Sequence, residues 1–448
     1  MLTATILLIA TVLGTTHWRA AFMGACFLAV FDGALRKWVF PDSADLIYFL
    51  KDALLAGAYL RFYFSERKLE RLPRFVGLFF WLSLIWVFLQ AFNSKLGSVV
   101  LGALGFKMYF FYAPMLWMAP QVFESLNELI RFWKVFLRTL YVVAGFAVLQ
   151  FFSPLDHWLN AGLPEGLATP TFYNETAYIR VSSVFSFLGG FYAYIAGMTP
   201  PILAILFEGF KTRRWWVPLG QLVLLLGISM MSGSRAVTFS MLIVCAVFFV
   251  VRYIGNPREA AGYFQKAFFP LILVILASLP MLAPAFDSFS DRTKNTDSMA
   301  ERIQWTLLQP VGFLGLLGVD SYGAGATHQA VVALRPKLGN VGGERIPVNF
   351  EPEPGRVMLE LGAVGFFLWY GLRVALIWAT ARLSFSLRTT FCRDLALAVA
   401  LVQCYALTVG YLVYNQTFAF FFWLLTSVVL VLPKLERDAK FTDALSPG

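Results

Sequence analysis

Residues 348–371 read VNFEPEPGRVMLELGAVGFFLWYG. From Val357 onward the side chains suit lipid, yet Glu351, Glu353 and Arg356 crowd the lip of that run. The rest of the chain explains why this is unusual. It is 448 residues long, 59% hydrophobic and only 14% charged, where a soluble domain carries about 25% charged residues. It holds 46 phenylalanines, and its mean hydropathy is +0.69. Apolar windows long enough to cross about 30 Å of hydrocarbon recur from end to end. The composition predicts an all-α polytopic integral membrane protein, one transmembrane domain over residues 1–448 with no separate soluble domain.

The first window, MLTATILLIATVLGTT, lacks a basic leader and a small-x-small cleavage site, so it reads as a retained helix. Further windows fall at 20–35, 46–63, 75–93, 98–119, 135–153, 184–207, 217–232, 236–251, 267–284, 356–380, 394–414 and 416–432. Together they predict about 12–13 transmembrane helices. The net charge of +10 follows this alternation. Basic clusters at 61–74, 131–138, 211–214, 252–266, 382–393 and from Lys434 fall on one face, which the positive-inside rule makes cytoplasmic, with a cytoplasmic C-terminus. The long loops 154–183 and 285–355 are then external, the second being the large extracytoplasmic loop. The positive charge orients the chain in a membrane and gives no reason to expect nucleic acid. Cys26, Cys245, Cys392 and Cys404 have no CxxC spacing, so neither a disulfide framework nor a zinc site is suggested.

Ionisable groups at membrane depth or at its outer rim are the functional candidates, because each needs a partner or water. In MMSGSRAVTF, Ser232, Gly233 and Ser234 permit a tight turn, Ser234 can cap the helix that follows, and Arg235 adjoins the helix N-terminus. That combination suits an anion, or a plain turn whose arginine reaches lipid phosphate. Arg180, followed by Ser182 and Ser183 before the next helix, repeats the arrangement. Arg302 lies in the large loop, in an amphipathic helix resting on the membrane. In the opening stretch two prolines hold Glu351 and Glu353 extended. Glu360, one turn into the helix, needs a partner such as Arg356 at i−4. Asp32, Arg36 and Lys37 form an elbow at an outer rim. Lys51 and Asp52 can neutralise each other, whereas Lys107 needs a partner or an anion. His17, His157 and His328 are too scattered for a metal signature, and the spacing of Asp287, Asp291 and Asp297 is ordinary for a loop. No metal or cofactor is expected. There is no GxxxxGK[ST] and no GxGxxG after a strand, so nucleotide-driven chemistry is not indicated.

The order helix, SGSR turn, helix, large external loop, then charged segment into ELGAVGFF resembles the O-antigen ligase and O-antigen polymerase superfamily of bacterial envelope glycan enzymes. The family pattern has a serine–arginine turn, a loop arginine followed by a glycine-rich stretch, and His-Asn-x9-Gly-x-x-Gly entering the next helix. Ser234 and Arg235 match the turn, Arg302 stands for the loop arginine and GVDSYGAGA for the glycine-rich stretch. Gly362 and Gly365 match the terminal glycines. Counting back puts Glu351 and Pro352 where the family has histidine and asparagine. That is where this chain departs from the pattern. The likeness covers residues 180 to 430 or so.

The resemblance implies a GT-C-like glycosyltransferase in the bacterial inner membrane. Such enzymes take glycan from an undecaprenyl-diphosphate carrier on the extracytoplasmic face, without nucleotide or metal. Partners would be that carrier, membrane lipids and other polysaccharide assembly proteins. The residues fit such chemistry. Arginines are permanently charged forks matched to phosphate oxygens, so Arg180 and Arg235, with Arg302 or Arg356, are expected to grip diphosphate alongside Ser234. Glu351, then Glu353, is the expected general base of an inverting transfer. The chain is read as a polymerase of exopolysaccharide or O-antigen type. The alternatives are a ligase to a lipid A core or protein acceptor and, in another class, a transporter or flippase of lipid-linked glycan.

Overall fold

The computed structural model describes residues 2–65, 72–162, 179–212, 214–259, 261–263, 265–266, 283, 287, 290, 299–317, 320–338, 342–408 and 410–445. Among the described residues it is helical, with no strand. The N-terminal half comprises α1 (Leu2–Thr16), α2 (Trp18–Ala34), α3 (Ala44–Phe64), α4 (Arg74–Gln90) and α5 (Val99–Phe110). These are followed by α6 (Met115–Val122), α7 (Leu126–Phe136) and α8 (Thr139–Phe152). After the first long loop come α9 (Leu188–Thr212), α10 (Trp216–Met231) and α11 (Arg235–Gly255). The second loop carries α12 (Met299–Leu317) and α13 (Gln329–Lys337). The last three helices are α14 (Glu353–Ser386), α15 (Thr390–Thr408) and α16 (Gln416–Leu445).

This is a multi-pass membrane protein. Seven of the described helical segments are long and apolar enough to span a bilayer, or eight if α5 and α6, bent by 46°, count as one. That is fewer than the expected 12–13, although every sequence window except 267–284, of which only residue 283 is described, coincides with a helix. The difference is one of length and charge. Helices α4 and α10 have 17 and 16 residues, about 24–26 Å, which falls short of the hydrocarbon thickness. Helix α3 is long enough but carries Asp45, Lys51, Asp52 and Arg61.

Burial orders the bundle. In the spans of α9 and α16, 83% of the residues are buried, against 44% in α11 and α14. A helix apolar all round suits a place among other helices, so α9 and α16 form the centre, with α15 at 72% beside them, and α11 and α14 are the more exposed.

Helix α14 is not straight. Gly362 has φ 67° and ψ −177°, a region open essentially to glycine, and it breaks the helix into two arms. Glu353 and Arg373, twenty residues apart, meet at 2.7 Å; in a continuous helix they would stand about 30 Å apart. The first arm therefore folds back along the second. The carbonyls freed at the break are used: Leu361 O accepts from Trp86 Nε1 (2.9 Å) and Leu359 O from the Tyr322 N–H (2.8 Å). Glu360, at the tip, accepts from Tyr109 Oη (2.9 Å), the Thr327 N–H (2.9 Å) and Thr327 Oγ1 (2.8 Å). Its expected partner, Arg356, is not among these, because a folded-back arm presents its tip to α5 and the glycine-rich segment. That segment is pinned in turn to the α4–α5 connection by Ala324 N–H to Gln90 O (3.1 Å) and Asn93 Nδ2 to Ser321 O (3.1 Å).

Candidate functional site

A cavity of about 390 Å³ opens at one end of the bundle, between α9, α11, α12, the first turn of α14, α15 and the start of α16. Arg180, Ser234, Arg235, Glu351 and Glu353 all line it. A larger hollow of about 670 Å³, against Trp378 and Leu430, has Arg74 and Arg382 in its wall but no carboxylate. Only the first of these two combines cations with a candidate base.

The cationic wall is built from two adjoining turns. Gly233 takes φ 64°, and the chain enters α11 with Ser234 as N-cap, its Oγ accepting from the Val237 N–H at 3.4 Å. Arg235, Ala236 and Val237 therefore bring the first turn of a 21-residue helix to the cavity. The partial positive charge of that helix end adds to the arginine. Arg180 reaches the same turn, with Nε donating to Ser232 O (3.3 Å) and Nη2 to Tyr192 Oη (2.7 Å). The sequence expected Arg180 at the start of a helix; instead α9 begins only at Leu188. What fixes the segment is Ser183, a non-glycine residue at φ 51°. Gln150 Oε1 accepts from its N–H (2.7 Å), Val143 O accepts from its Oγ (2.7 Å), and its carbonyl accepts from the buried Lys37 Nζ (2.6 Å).

The two glutamates separate sharply. Glu353 is 2% exposed, and both its oxygens are engaged: Oε1 by Arg373 Nη1 (2.7 Å) and Oε2 by the Val413 N–H (2.9 Å). Arg373 Nη2 also donates to Ala406 O. Glu353 is thus half of a buried ion pair that ties the folded-back arm to α15 and the segment after it, which corrects its assignment as a second base. Glu351 is exposed at the cavity rim, and among the described residues its carboxylate forms no salt bridge. Arg356 donates to the Glu351 carbonyl (3.1 Å) and lies over the rings of Phe350 and Tyr414, at 5.3 and 4.8 Å. It does not line the cavity, because α14 turns it toward those aromatic faces. The Arg302 side chain lies outside the described residues, but its helix contributes Trp305 and Thr306 to the wall. The cavity therefore sets two arginines and a helix N-terminus against one carboxylate that forms no salt bridge among the described residues.

Several participants gave no usable sign in the sequence. Arg373 could have been found, since an arginine deep in the 356–380 window demands a partner. Tyr192, Tyr411 and Asn415 are ordinary residues brought to the wall by folding. His328 stacks on Tyr414 at 6.1 Å, and burial, with Arg356 and Lys107 nearby, pushes its imidazole down to about 4. Four further charges form a separate network. Lys51 pairs with Asp32 (3.0 Å) and Asp52 with Lys107 (2.6 Å), while Gln416 bridges Lys51 (3.1 Å) and Asp52 (2.8 Å). Lys51 and Asp52 do not neutralise each other as expected, because adjacent residues on a helix point in different directions. Among the described residues no group of three or more His, Cys, Asp or Glu could hold a metal ion. Asp291 and Asp297 lie outside the described residues.

No family model, curated protein or solved structure matches this chain.

Proposed function

We propose that this protein is a membrane glycosyltransferase with a GT-C-like architecture, acting on a glycan carried by undecaprenyl diphosphate at the extracytoplasmic face of the bacterial inner membrane. The observation that carries the reading is a single cavity in which Arg180, Arg235 and the α11 N-terminus confront Glu351. In the reaction, Glu351 takes the proton from an acceptor hydroxyl, and the hydroxyl oxygen bonds to the anomeric carbon with inversion. The bond from that carbon to the diphosphate oxygen breaks, and its electron pair stays on the leaving diphosphate. The growing negative charge falls toward groups already oriented to receive it, so little reorganisation is needed. Tyr192 and Ser232 fix the plane of Arg180, which serves that preorganisation. Within this class the reading favours a polymerase of exopolysaccharide or O-antigen type over a ligase to a lipid A core or protein.

A second reading, transport of a lipid-linked glycan, draws support from the helix broken at Gly362 and from the intramembrane Asp32–Lys51 and Asp52–Lys107 pairs. One experiment separates the two. Purified protein in liposomes is given a lipid-linked repeat unit, and the products are sized. Elongated glycan that falls by about 10²–10⁴-fold in Glu351→Gln supports transfer. Unchanged elongation in that variant removes Glu351 as base. Movement of the intact donor between leaflets with no elongation supports transport.

A further inference from the structure

We propose that the hollow against Trp378 and Leu430 is a binding site for one anionic phospholipid, its phosphate held by Arg74 and Arg382 and its acyl chains lying on the apolar wall. Such a site stands whether or not the protein transfers glycan.

The hollow is a gap between two packed pairs of helices. Helix α4 packs along α14 and α6 along α16, and all four line it. Leu116 and Ala375 in its wall are buried, whereas Phe75 and Trp378, 53% and 65% exposed, are open to the surroundings. Its volume of about 670 Å³ falls in the range of ligand pockets, about 300–1,000 Å³. An exposed apolar face alone would be satisfied by any acyl chain. The charges make this one selective. Arg74 and Arg382 come from distant parts of the chain to the same wall, and among the described residues neither forms a salt bridge. Arg74 opens α4, at the end where the helix dipole disfavours a cation and favours an anion, and no acidic residue stands in that first turn. The helix gains nothing from a cation there, while an incoming phosphate gains from both. Lys434, next to Pro433 of the wall, donates to the carbonyl of Pro120, also in the wall (3.5 Å), so a third cation borders the hollow. Phosphate oxygens match planar guanidinium forks, and the tails of the same molecule fill the apolar space beside them.

The position in the bundle agrees. A short turn separates Ser386, in this wall, from α15, and the far end of that 19-residue helix, about 28 Å away, lines the Arg180–Arg235 cavity. The hollow therefore lies at the opposite end of the bundle, among the basic clusters 61–74, 382–393 and Lys434. Basic pockets between membrane helices on such a face recognise anionic headgroups.

The test uses the full-length protein in detergent, titrated with phosphatidylglycerol or phosphatidylcholine and read by native mass spectrometry. The expected result is one retained phosphatidylglycerol that phosphatidylcholine displaces poorly. Its affinity should fall roughly 30-fold in the Arg74→Ala, Arg382→Ala double variant, each cation being worth about fivefold against an anionic lipid. Arg131→Ala, Arg138→Ala removes two cations of the same basic face that do not line the hollow, and should leave the affinity unchanged. Equal binding of the two lipids by the wild type, or an equal loss in both double variants, overturns the site. In parallel, phosphatidylglycerol with a photoreactive acyl chain is cross-linked in liposomes. Adducts are expected around Trp378 and Leu430 and should vanish with excess unlabelled lipid. Adducts spread without saturation over the exposed face of α11 mean ordinary boundary lipid and overturn the proposal, as does a co-purifying polypeptide cross-linked in the hollow.

Discussion

Two of the charge groups within this bundle are managed in opposite ways. The Asp32–Lys51–Gln416–Asp52–Lys107 network is balanced, each carboxylate meeting an ammonium within 3.0 Å, and Tyr112 Oη donates to Asp52 at 2.7 Å. The cavity brings two arginines to one carboxylate, Glu351, which lies exposed at the rim and forms no salt bridge among the described residues. The Glu353–Arg373 pair belongs with the first group, although Glu353 touches the wall of the second. A charge closed on itself holds helices together. Cations and a carboxylate that meet in an open cavity are where a substrate is expected. Proximity to the cavity alone would have placed Glu353 on the wrong side of that division.

The division can be broken by mutation. The largest effect is expected from Arg373→Ala, which strands the buried Glu353 carboxylate and should cost about 3–5 kcal/mol. The loss would be read as folded yield and thermal unfolding in detergent, with recovery in the Glu353→Gln, Arg373→Met double variant. Arg235→Ala should leave the protein folded and slow transfer by about 10²–10³-fold, near 3–4 kcal/mol of transition-state stabilisation. If instead it unfolds the protein, the cavity arginines are architectural. Gly362→Ala forces a Cβ into a left-handed backbone and should cost about 1–3 kcal/mol, visible in the same melt.

His328 gives a pH test of the stacked region. Its imidazole titrates near 4 in the folded protein and near 6.5 when exposed, so between those values the unfolded chain binds more protons. Its contribution is fully present above pH 6.5 and lost as pH falls toward 4; His328→Gln should flatten that part of a stability profile. The smallest effect is expected from Arg19→Ala. Its exposed pair with Glu124 should be worth about 0–1 kcal/mol and show no consequence for either charge group.

The sequence announced the helices well, because lipid selects long apolar runs: the 236–251 window became Arg235–Gly255 with its cap at Ser234. Arg235 was legible for a related reason, since it adjoins the start of such a run behind three small residues, whereas Arg180 reaches the cavity from a segment that is not helical. The fold-back at Gly362 was not legible. LELGAVG satisfies helical spacing on either side, and nothing in it specifies a φ of 67°. The expected Glu360–Arg356 pair follows from taking that stretch as one straight helix, and Glu353, expected to be extended, is instead the first residue of the folded-back arm. The pairing of Lys51 with Asp32 rather than Asp52 depends on how α2 meets α3, which no local pattern encodes.

The bonds of Glu353 also bear on how the chain is assembled. Its carboxylate needs Arg373 and the amide of Val413, and Arg373 needs the carbonyl of Ala406. A nascent chain that has emerged only as far as Ser386 possesses one of those three contacts. The folded-back arm therefore has no complete berth until α15 and the segment after it, as far as Val413, have been made.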